Sequence, residues 1–554
     1  QICKWMTGAA AAALALGASP ASGARLSISD SARTYVAARA AAMSGDHARA
    51  AQLLAALAGA QPDQADIARK ALSEAMGAGD MGLALRLSRS VPAAKLPVDA
   101  RLLLATEEIR RRHPERAAQW LAQTGDNGDL TFLAPVINAW TAAERGDQQQ
   151  ALGAFDQVSA RSLLGPQESE ERAFVLLKFR RTAEAEPLAR QAVGRAGARE
   201  TRLRLALADS FLAAGDKPQA LMIIDGMGAG ESAARQRIAA GRNGGQAIDS
   251  LPKALSEVLT AFAGDLVRLQ PGSPPIGLVQ VARYANPQNS NATALLALLL
   301  ARQDRGDEAL ALLRSVPADD PLMPQVRDVQ VRILRDQKKN DEAYRIAATA
   351  AAAPGADVGD LSRLGDVLQS MKRPNEAADA YGRAISFAQA QKQDSELWSL
   401  LLLRASALED AGRWPEARAA LQQALTLAPD QPLLLNFLGY AKLERGEDMD
   451  AAEAMIRKAS DLAPDEASIT DSLGWAQFKR GKVDDAIATL QRAAEKDPAQ
   501  AEIQEHLGDA LYRSGRRYEA RFAWNASLVT AEDEIASRVK AKLASGLTSA
   551  NAAP

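Results

Sequence analysis

Two stretches near the C-terminal end of the 554-residue chain decide its fold: residues 473–490, LGWAQFKRGKVDDAIATL, and residues 507–524, LGDALYRSGRRYEARFAW. They begin 34 residues apart and share a Leu-Gly pair, a Gly seven residues after that pair, an Ala five further on and a large apolar residue four after the Ala. A Leu-Gly pair at 438–439 opens the same pattern 35 residues before the first stretch. A fixed period of this length predicts stacked structural repeats.

Each shared position has a physical reason in a pair of antiparallel helices. A small residue in the first helix, opposite a small residue in the second, lets the two helices approach closely. The Gly of the turn can adopt the left-handed conformation that ends a helix, and a Pro ends the second helix. The close-packed glycines are Gly439, Gly474 and Gly508, and the alanines that we expect opposite them are Ala452, Ala486 and Ala520.

The alanine position recurs through most of the chain. Most steps are close to 34 residues; the exceptions are one step of 40 and one gap of 89. The earlier positions are Ala50, Ala84, Ala117, Ala151, Ala185, Ala220, Ala309, Ala343, Ala377 and Ala417. About a dozen alanines at this spacing predict that one helical hairpin is repeated along the chain.

This pattern resembles the tetratricopeptide repeat (TPR) family, whose unit is a helix, a tight turn and a second helix. The resemblance covers most of residues 30–530 and implies an all-α fold, a TPR-type α-solenoid of antiparallel helix pairs forming a superhelix. The sequence departs from the family at one position. Three residues before the Leu-Gly pair it has Leu435, Thr470 and Gln504, where the family has a larger residue.

The predicted organisation has five parts. A stretch rich in Gly and Pro interrupts the repeat register and predicts a hinge between two arrays. The parts are 1–23, a signal peptide; 24–225, a degenerate N-terminal TPR array; 226–290, an irregular helical hinge; 291–530, a C-terminal TPR array; and 531–554, a capping helix with a flexible tail.

The charge balance argues against one class of partner. Lys and Arg number 66 and Asp and Glu 68, which gives a formal net charge of −2 with the two signs interspersed. Binding to a nucleic acid needs a basic surface, so we expect no nucleic acid partner. The single cysteine, Cys3, excludes an internal disulfide and a cysteine-based zinc site.

Residues that could carry chemistry are scarce. The three histidines, His47, His113 and His506, occupy unrelated positions of the repeat, and no H-E-x-x-H metal site is present. Ser250 and Lys253 match S-x-x-K, but the companion motifs of that class of enzyme are absent, which makes this a chance match. We therefore expect no enzyme, no cofactor, no metal and no small-molecule substrate.

The first residues predict export. Lys4 supplies positive charge, Ala9 to Leu16 form a short apolar stretch, and small residues precede Ala24 as at a cleavage site. The alternative is an alanine-rich frayed helix. The apolar stretch is too short to span a bilayer, so no transmembrane segment is expected. The predicted location is the periplasm, with the cytoplasm as the alternative.

The TPR resemblance also implies where partners bind. In that family the first helix of each unit lines a concave groove. Carried over residue by residue, the protein-binding candidates are Asn436, Tyr440, Asp471, Trp475, Phe478, Glu505, Asp509 and Tyr512. The aromatic residues among them are candidate anchors; the alternative is that they pack between repeats. The acidic residues disfavour a carboxylate ligand and favour an apolar ligand with some positive charge.

A narrower resemblance rests on the signal-like start, the motif Asp471-Ser472-Leu473-Gly474-Trp475 and the ending from Gly515-Arg516-Arg517 to Trp524. These features are similar to exported envelope TPR proteins of Gram-negative bacteria, some of which are adaptors that dock a processing protease and cell-wall hydrolases. The resemblance implies a periplasmic adaptor that binds proteins or peptides. The alternatives are a cytoplasmic or membrane-associated TPR assembly factor and, third, an enzyme.

Overall fold

The fold is described from a computed structural model. It covers residues 28–122, 128–156, 158–228, 230–270, 272, 274–391 and 397–553. The predicted signal segment, 1–23, lies outside these residues. The chain divides into two compact units, unit 1 up to Gln337 and unit 2 from Lys338.

The described part of unit 1 is built from helices. Four are short 3-10 helices, Ala93–Lys95, Thr131–Leu133, Gly165–Gln167 and Gly197–Arg199. The α-helices are α1 (Ile28–Met43), α2 (His47–Ala60), α3 (Ala65–Gly77), α4 (Met81–Ser90), α5 (Val98–Arg110), α6 (Pro114–Ala122), α7 (Ala134–Glu144), α8 (Gln148–Gly153), α9 (Glu168–Lys178), α10 (Thr182–Arg195), α11 (Glu200–Ala214), α12 (Lys217–Ile223), α13 (Glu231–Ala239), α14 (Leu251–Leu269), α15 (Ile276–Ala285), α16 (Ser290–Ala301), α17 (Gly306–Leu313) and α18 (Met323–Asp336).

Unit 2 consists of α-helices in its described residues. They are α19 (Asn340–Ala351), α20 (Val358–Ser370), α21 (Pro374–Ala390), α22 (Leu397–Asp410), α23 (Trp414–Leu427), α24 (Pro432–Glu444), α25 (Met449–Leu462), α26 (Ala467–Lys479), α27 (Val483–Lys496), α28 (Ala501–Arg513), α29 (Arg517–Thr530) and α30 (Asp533–Ser545). From α20 onward they pack as successive hairpins, and each first helix from α24 on also contacts the first helix of the next hairpin. This arrangement confirms the predicted all-α solenoid of antiparallel helix pairs.

The alanine register is confirmed by burial. All thirteen predicted alanines, from Ala50 to Ala520, have no solvent exposure in the folded chain. Because interiors are close-packed, a much larger side chain at these positions would push the helices apart.

The glycine register is confirmed, with one correction. A Cβ on Gly474 would lie 2.6 Å from Cγ of Leu490, and one on Gly439 would lie 2.7 Å from Cγ1 of Ile456. On Gly508 it would collide with the indole of Trp524. The residue that covers each glycine is therefore the large apolar residue of the second helix, whereas we had expected the alanine. The large side chain fills the space that the missing Cβ leaves.

The turn glycines behave as predicted. Gly446, Gly481 and Gly515 have φ angles of 66°, 76° and 87°. This left-handed conformation is strained for residues with a Cβ and open to glycine, so each glycine ends the first helix of its hairpin.

The segment 226–290 contains helices that pack on the N-terminal hairpins. Within unit 1, α14 packs against α5 and α7, and α15 packs against α3 and α5. These partners are the first helices of N-terminal hairpins. Helices α14 and α15 thus belong to unit 1, and the division between the two units falls at 337/338. The five-part organisation with a hinge at 226–290 stays a prediction.

Buried polar contacts hold this segment in place. The carboxylate of Asp209 on α11 is fully buried and accepts hydrogen bonds from the backbone N–H groups of Gly244 and Gln246, both at 2.9 Å. Arg202, also on α11, donates to Glu257 on α14, with Nε 3.1 Å from Oε1. The glycine-rich chain therefore supplies backbone donors to a buried charge, a role that hydrophobic periodicity does not reveal.

Among the described residues, none of the helices combines the length and apolar character needed to cross a membrane.

Replacing Gly474 by Leu tests the close approach of α26 and α27. We expect a loss of about 1 to 3 kcal/mol in the free energy of unfolding, because the new side chain overlaps Leu490. The damage should spread to neighbouring hairpins, since repeats stack in one dimension. Thermal melting and amide exchange over residues 438–524 measure both effects.

Gly194→Leu is the matched control. Gly194 is exposed on α10, and nothing lies within 4 Å of an added Cβ. Leu should be neutral or stabilise the helix by up to about 1 kcal/mol there, because Gly is a poor helix former. Equal melting of the wild type and Gly474→Leu would contradict the packing described.

Candidate functional site

Three neighbouring first helices of unit 2, α24, α26 and α28, carry all eight predicted groove residues. We call the face that bears them the first-helix surface. The structure brings the eight residues together, but it gives them different surroundings. The capping helix α30 packs on α28 and α29 and covers one end of the set.

Trp475 lies in the interior and is 1% exposed. Its ring stacks on the ring of His506, with centroids 4.1 Å apart, and on Phe478, with centroids 4.9 Å apart. Its Nε1 donates to Oε1 of Glu444 at 3.2 Å. Trp475 thus joins α24, α26 and α28, and this geometry favours the alternative of packing between repeats.

Asp471 forms a buried pair with His506. The ring Nδ1 lies 2.9 Å from Oδ2 of Asp471, and both residues are buried. Burial acts to lower the pKa of His506, but the Asp471 carboxylate opposes it, and the net pKa lies above its ordinary value. Sequence reasoning missed this role of His506, which lies 35 residues after Asp471, one repeat plus one residue.

Glu505 and Asp509 are fully buried and face α30 rather than solvent. Nζ of Lys542 lies 2.7 Å from a carboxylate oxygen of each, and Arg538 lies 2.9 Å from Glu505. Burial acts to raise the pKa of Glu505, but Arg538 and Lys542 outweigh it and leave that pKa below its usual range. For Asp509 burial prevails and raises the pKa.

Sequence reasoning missed the two basic partners on α30. The signal was present: Arg538 and Lys542 are four residues apart, hence on one helix face, directly after the last repeat.

Four of the predicted residues are half-buried and remain at the surface: Asn436, Tyr440, Phe478 and Tyr512. Burial, followed by the nearby Glu444 carboxylate, raises the pKa of the Tyr440 hydroxyl well above its ordinary value. The side-chain oxygen of Asn436 is shielded from solvent and has no hydrogen-bond partner among the described residues. A buried amide oxygen that is left unpaired is costly.

The arrangement offers binding chemistry. The half-buried aromatic side chains of Tyr440, Phe478 and Tyr512 can contact an extended peptide. In the part of the chain that the structure describes, no group of three or more His, Cys, Asp or Glu side chains could hold a metal ion.

Family models of the tetratricopeptide repeat match two segments of unit 2. The model described as "Tetratricopeptide repeat" matches residues 398–443, which correspond to α22–α24, and the one described as "TPR repeat" matches residues 474–515, which correspond to α26–α28. The chain therefore contains TPR repeats, a fold that typically serves as a non-catalytic scaffold for interactions between proteins. No curated protein matches the chain.

Solved structures resemble the chain at low identity. The APC/C hetero-tetramer Cut9-Hcn1 is 15% identical over 94% of this chain and 97% of that chain, with a TM-score of 0.38. A tetratricopeptide repeat protein from Parabacteroides merdae is 16% identical over 46% and 98%, with a TM-score of 0.37. YrrB, "a TPR protein with an unusual peptide-binding site", is 16% identical over 35% and 97%, with a TM-score of 0.27. Nothing about partners transfers at this similarity.

Replacing Lys542 by Met tests the buried ion pairs. The change leaves two carboxylates, Glu505 and Asp509, buried without their shared cation, which typically costs about 3 to 5 kcal/mol of folding free energy. Lys540→Met on the same helix is the control, because Lys540 is exposed. Chemical denaturation of both variants measures the difference, and equal stability would contradict the role given to Lys542.

Proposed function

We propose that the chain is a protein-protein interaction scaffold that binds a partner protein or peptide on the first-helix surface of unit 2. The observation that carries the proposal is the set of half-buried aromatic rings on successive first helices, Tyr440 on α24, Phe478 on α26 and Tyr512 on α28. Aromatic side chains of this kind contribute most of the energy at protein interfaces.

The proposed ligand is apolar and uncharged. The acidic residues that suggested a positively charged ligand are neutralised within the chain, Asp471 by His506 and Glu505 by Lys542 and Arg538. A charged ligand would gain little from carboxylates that already have buried partners.

We place this scaffold in the bacterial periplasm, as an adaptor for a protease or for cell-wall hydrolases. This part of the proposal is supported by the export-like order of Lys4, the apolar stretch and the small residues before Ala24, and by the resemblance to envelope TPR proteins. The alternative remains a cytoplasmic or membrane-associated assembly factor.

Replacing Tyr440 by Ala should weaken partner binding more than folding. Loss of an interface aromatic costs about 2 kcal/mol, a roughly thirtyfold loss of affinity. Trp475→Ala should instead cost about 3 to 5 kcal/mol of stability, because that ring is in the core. Affinity purification of the full chain identifies the partner, and titration and melting of each single variant separate the two effects.

Tyr518→Ala is the control for Tyr440→Ala. Tyr518 is 85% exposed and lies on α29, a second helix of its hairpin, so its loss should leave binding unchanged. Equal affinity of the wild type and Tyr440→Ala for every captured partner would rule out the first-helix surface as the binding site.

Cell fractionation followed by N-terminal sequencing tests the location. We expect a mature protein that begins near Ala24 in the periplasmic fraction, because the charged start, apolar stretch and small-residue site occur in export order. An intact N-terminus recovered from the cytosol would support the cytoplasmic alternative.

A further inference from the structure

The last residues of the chain fold back after α30. We call Gly546–Ala553 the tail. The chain turns at Gly546, whose φ is 81°. The side chain of Asn551 then closes the tail on itself, because its Oδ1 accepts from the N–H of Thr548 at 2.7 Å and its Nδ2 donates to the carbonyl of Gly546 at 2.9 Å.

The tail lies on predicted groove residues. At its start, a Cβ on Gly546 would lie 2.8 Å from Cζ of Tyr512, so the glycine rests against that ring. At its end, Ala553 is 5% exposed and belongs to the buried cluster that contains Trp475 and Leu443. The backbone N–H of Ala553 donates to Oδ2 of Asp509 at 3.2 Å.

Between these ends, Leu547 packs against the cluster that contains Leu511 and Trp524. The tail carries no charged side chain. Its contacts are therefore those of a bound peptide: one apolar residue in a hydrophobic site, one small residue in the aromatic cluster and one main-chain donor on a carboxylate.

The tail is attached to the repeats by weaker contacts than α30 is. Buried ion pairs from Lys542 and Arg538 fasten α30 to α28. Among the described residues, the tail has one hydrogen bond to the repeats, from Ala553, and a few apolar contacts. Release of the tail would therefore break fewer polar contacts than release of α30.

We propose that the tail is an intramolecular ligand of the first-helix surface, and that partner segments of the same chemistry, uncharged with small side chains and one apolar residue, bind there by displacing it. The second half of this proposal rests on the proposed binding function. A short tether gives the tail an effective concentration on the order of 1 mM, so the tail sets the affinity that a partner segment must exceed.

The test uses a synthetic peptide of residues 546–554 as the probe and the full chain as the receptor. Ala553→Asp should release the tail, because it buries a second carboxylate beside Asp509. This variant should bind the peptide about tenfold more tightly than the wild type does. Ala550→Asp is the control: the same substitution at an exposed tail residue should bind the peptide as weakly as the wild type.

A truncated chain and a substituted peptide test the same proposal independently. A chain that ends at Ser545 should match the affinity of Ala553→Asp, and a peptide with Leu547→Asp should bind neither. Equal binding of the peptide to wild type and Ala553→Asp, or to neither, overturns the inference. If the peptide binds but no partner is captured, the intramolecular ligand is supported and the proposed function is overturned. If a partner is captured but the peptide does not bind, the proposed function is supported and the intramolecular ligand is overturned.

Discussion

The separation of the two helices within a hairpin is the constraint on which the rest of unit 2 depends. Leu490 occupies the space where a side chain on Gly474 would begin, and Ile456 does the same for Gly439. Because interiors are close-packed, this approach fixes the distance and the rotation of each pair. Successive first helices then present the same repeat positions to the same side. Because of that repetition, Tyr440 and Trp475 lie close together although they belong to different hairpins.

Elements outside the repeat add buried ion pairs to apolar packing. Helices α14 and α30 bury apolar residues such as Val258 and Val539. They also carry the buried pairs Glu257 with Arg202 and Lys542 with Glu505. Buried ion pairs contribute little net stability, but a misplaced element would leave a charge unpaired at high cost. We infer that these pairs specify where each non-repeated helix docks, while burial of apolar surface supplies most of the stabilisation.

The sequence was sufficient for the repeated part of the fold and insufficient for the rest. Alanines and glycines recur at a fixed period, so Ala452 and Gly474 could be assigned without coordinates. Asp209 could not, because its partners are backbone N–H groups of a glycine-rich stretch that has no periodicity. The candidate site, too, could be predicted from the sequence only in part. The eight predicted residues lie on α24, α26 and α28 and stay a prediction as a binding site. Whether a residue such as Asp509 faces solvent depends on α30, which lies outside the repeat.

The docking of α15 on α3 and α5 also bears on how unit 1 is made. Helix α3 begins at Ala65 and α15 ends at Ala285, so the two surfaces leave the ribosome in a fixed order with a long interval between them. At about 5 to 20 residues per second, that interval is roughly 10 to 40 s. Until then the faces of α3 and α5 that pack on α15 are not covered by it. In unit 2, from α20 onward, hairpins pack on their immediate neighbours, so the interval between synthesis of two packing partners is shorter there than between α3 and α15.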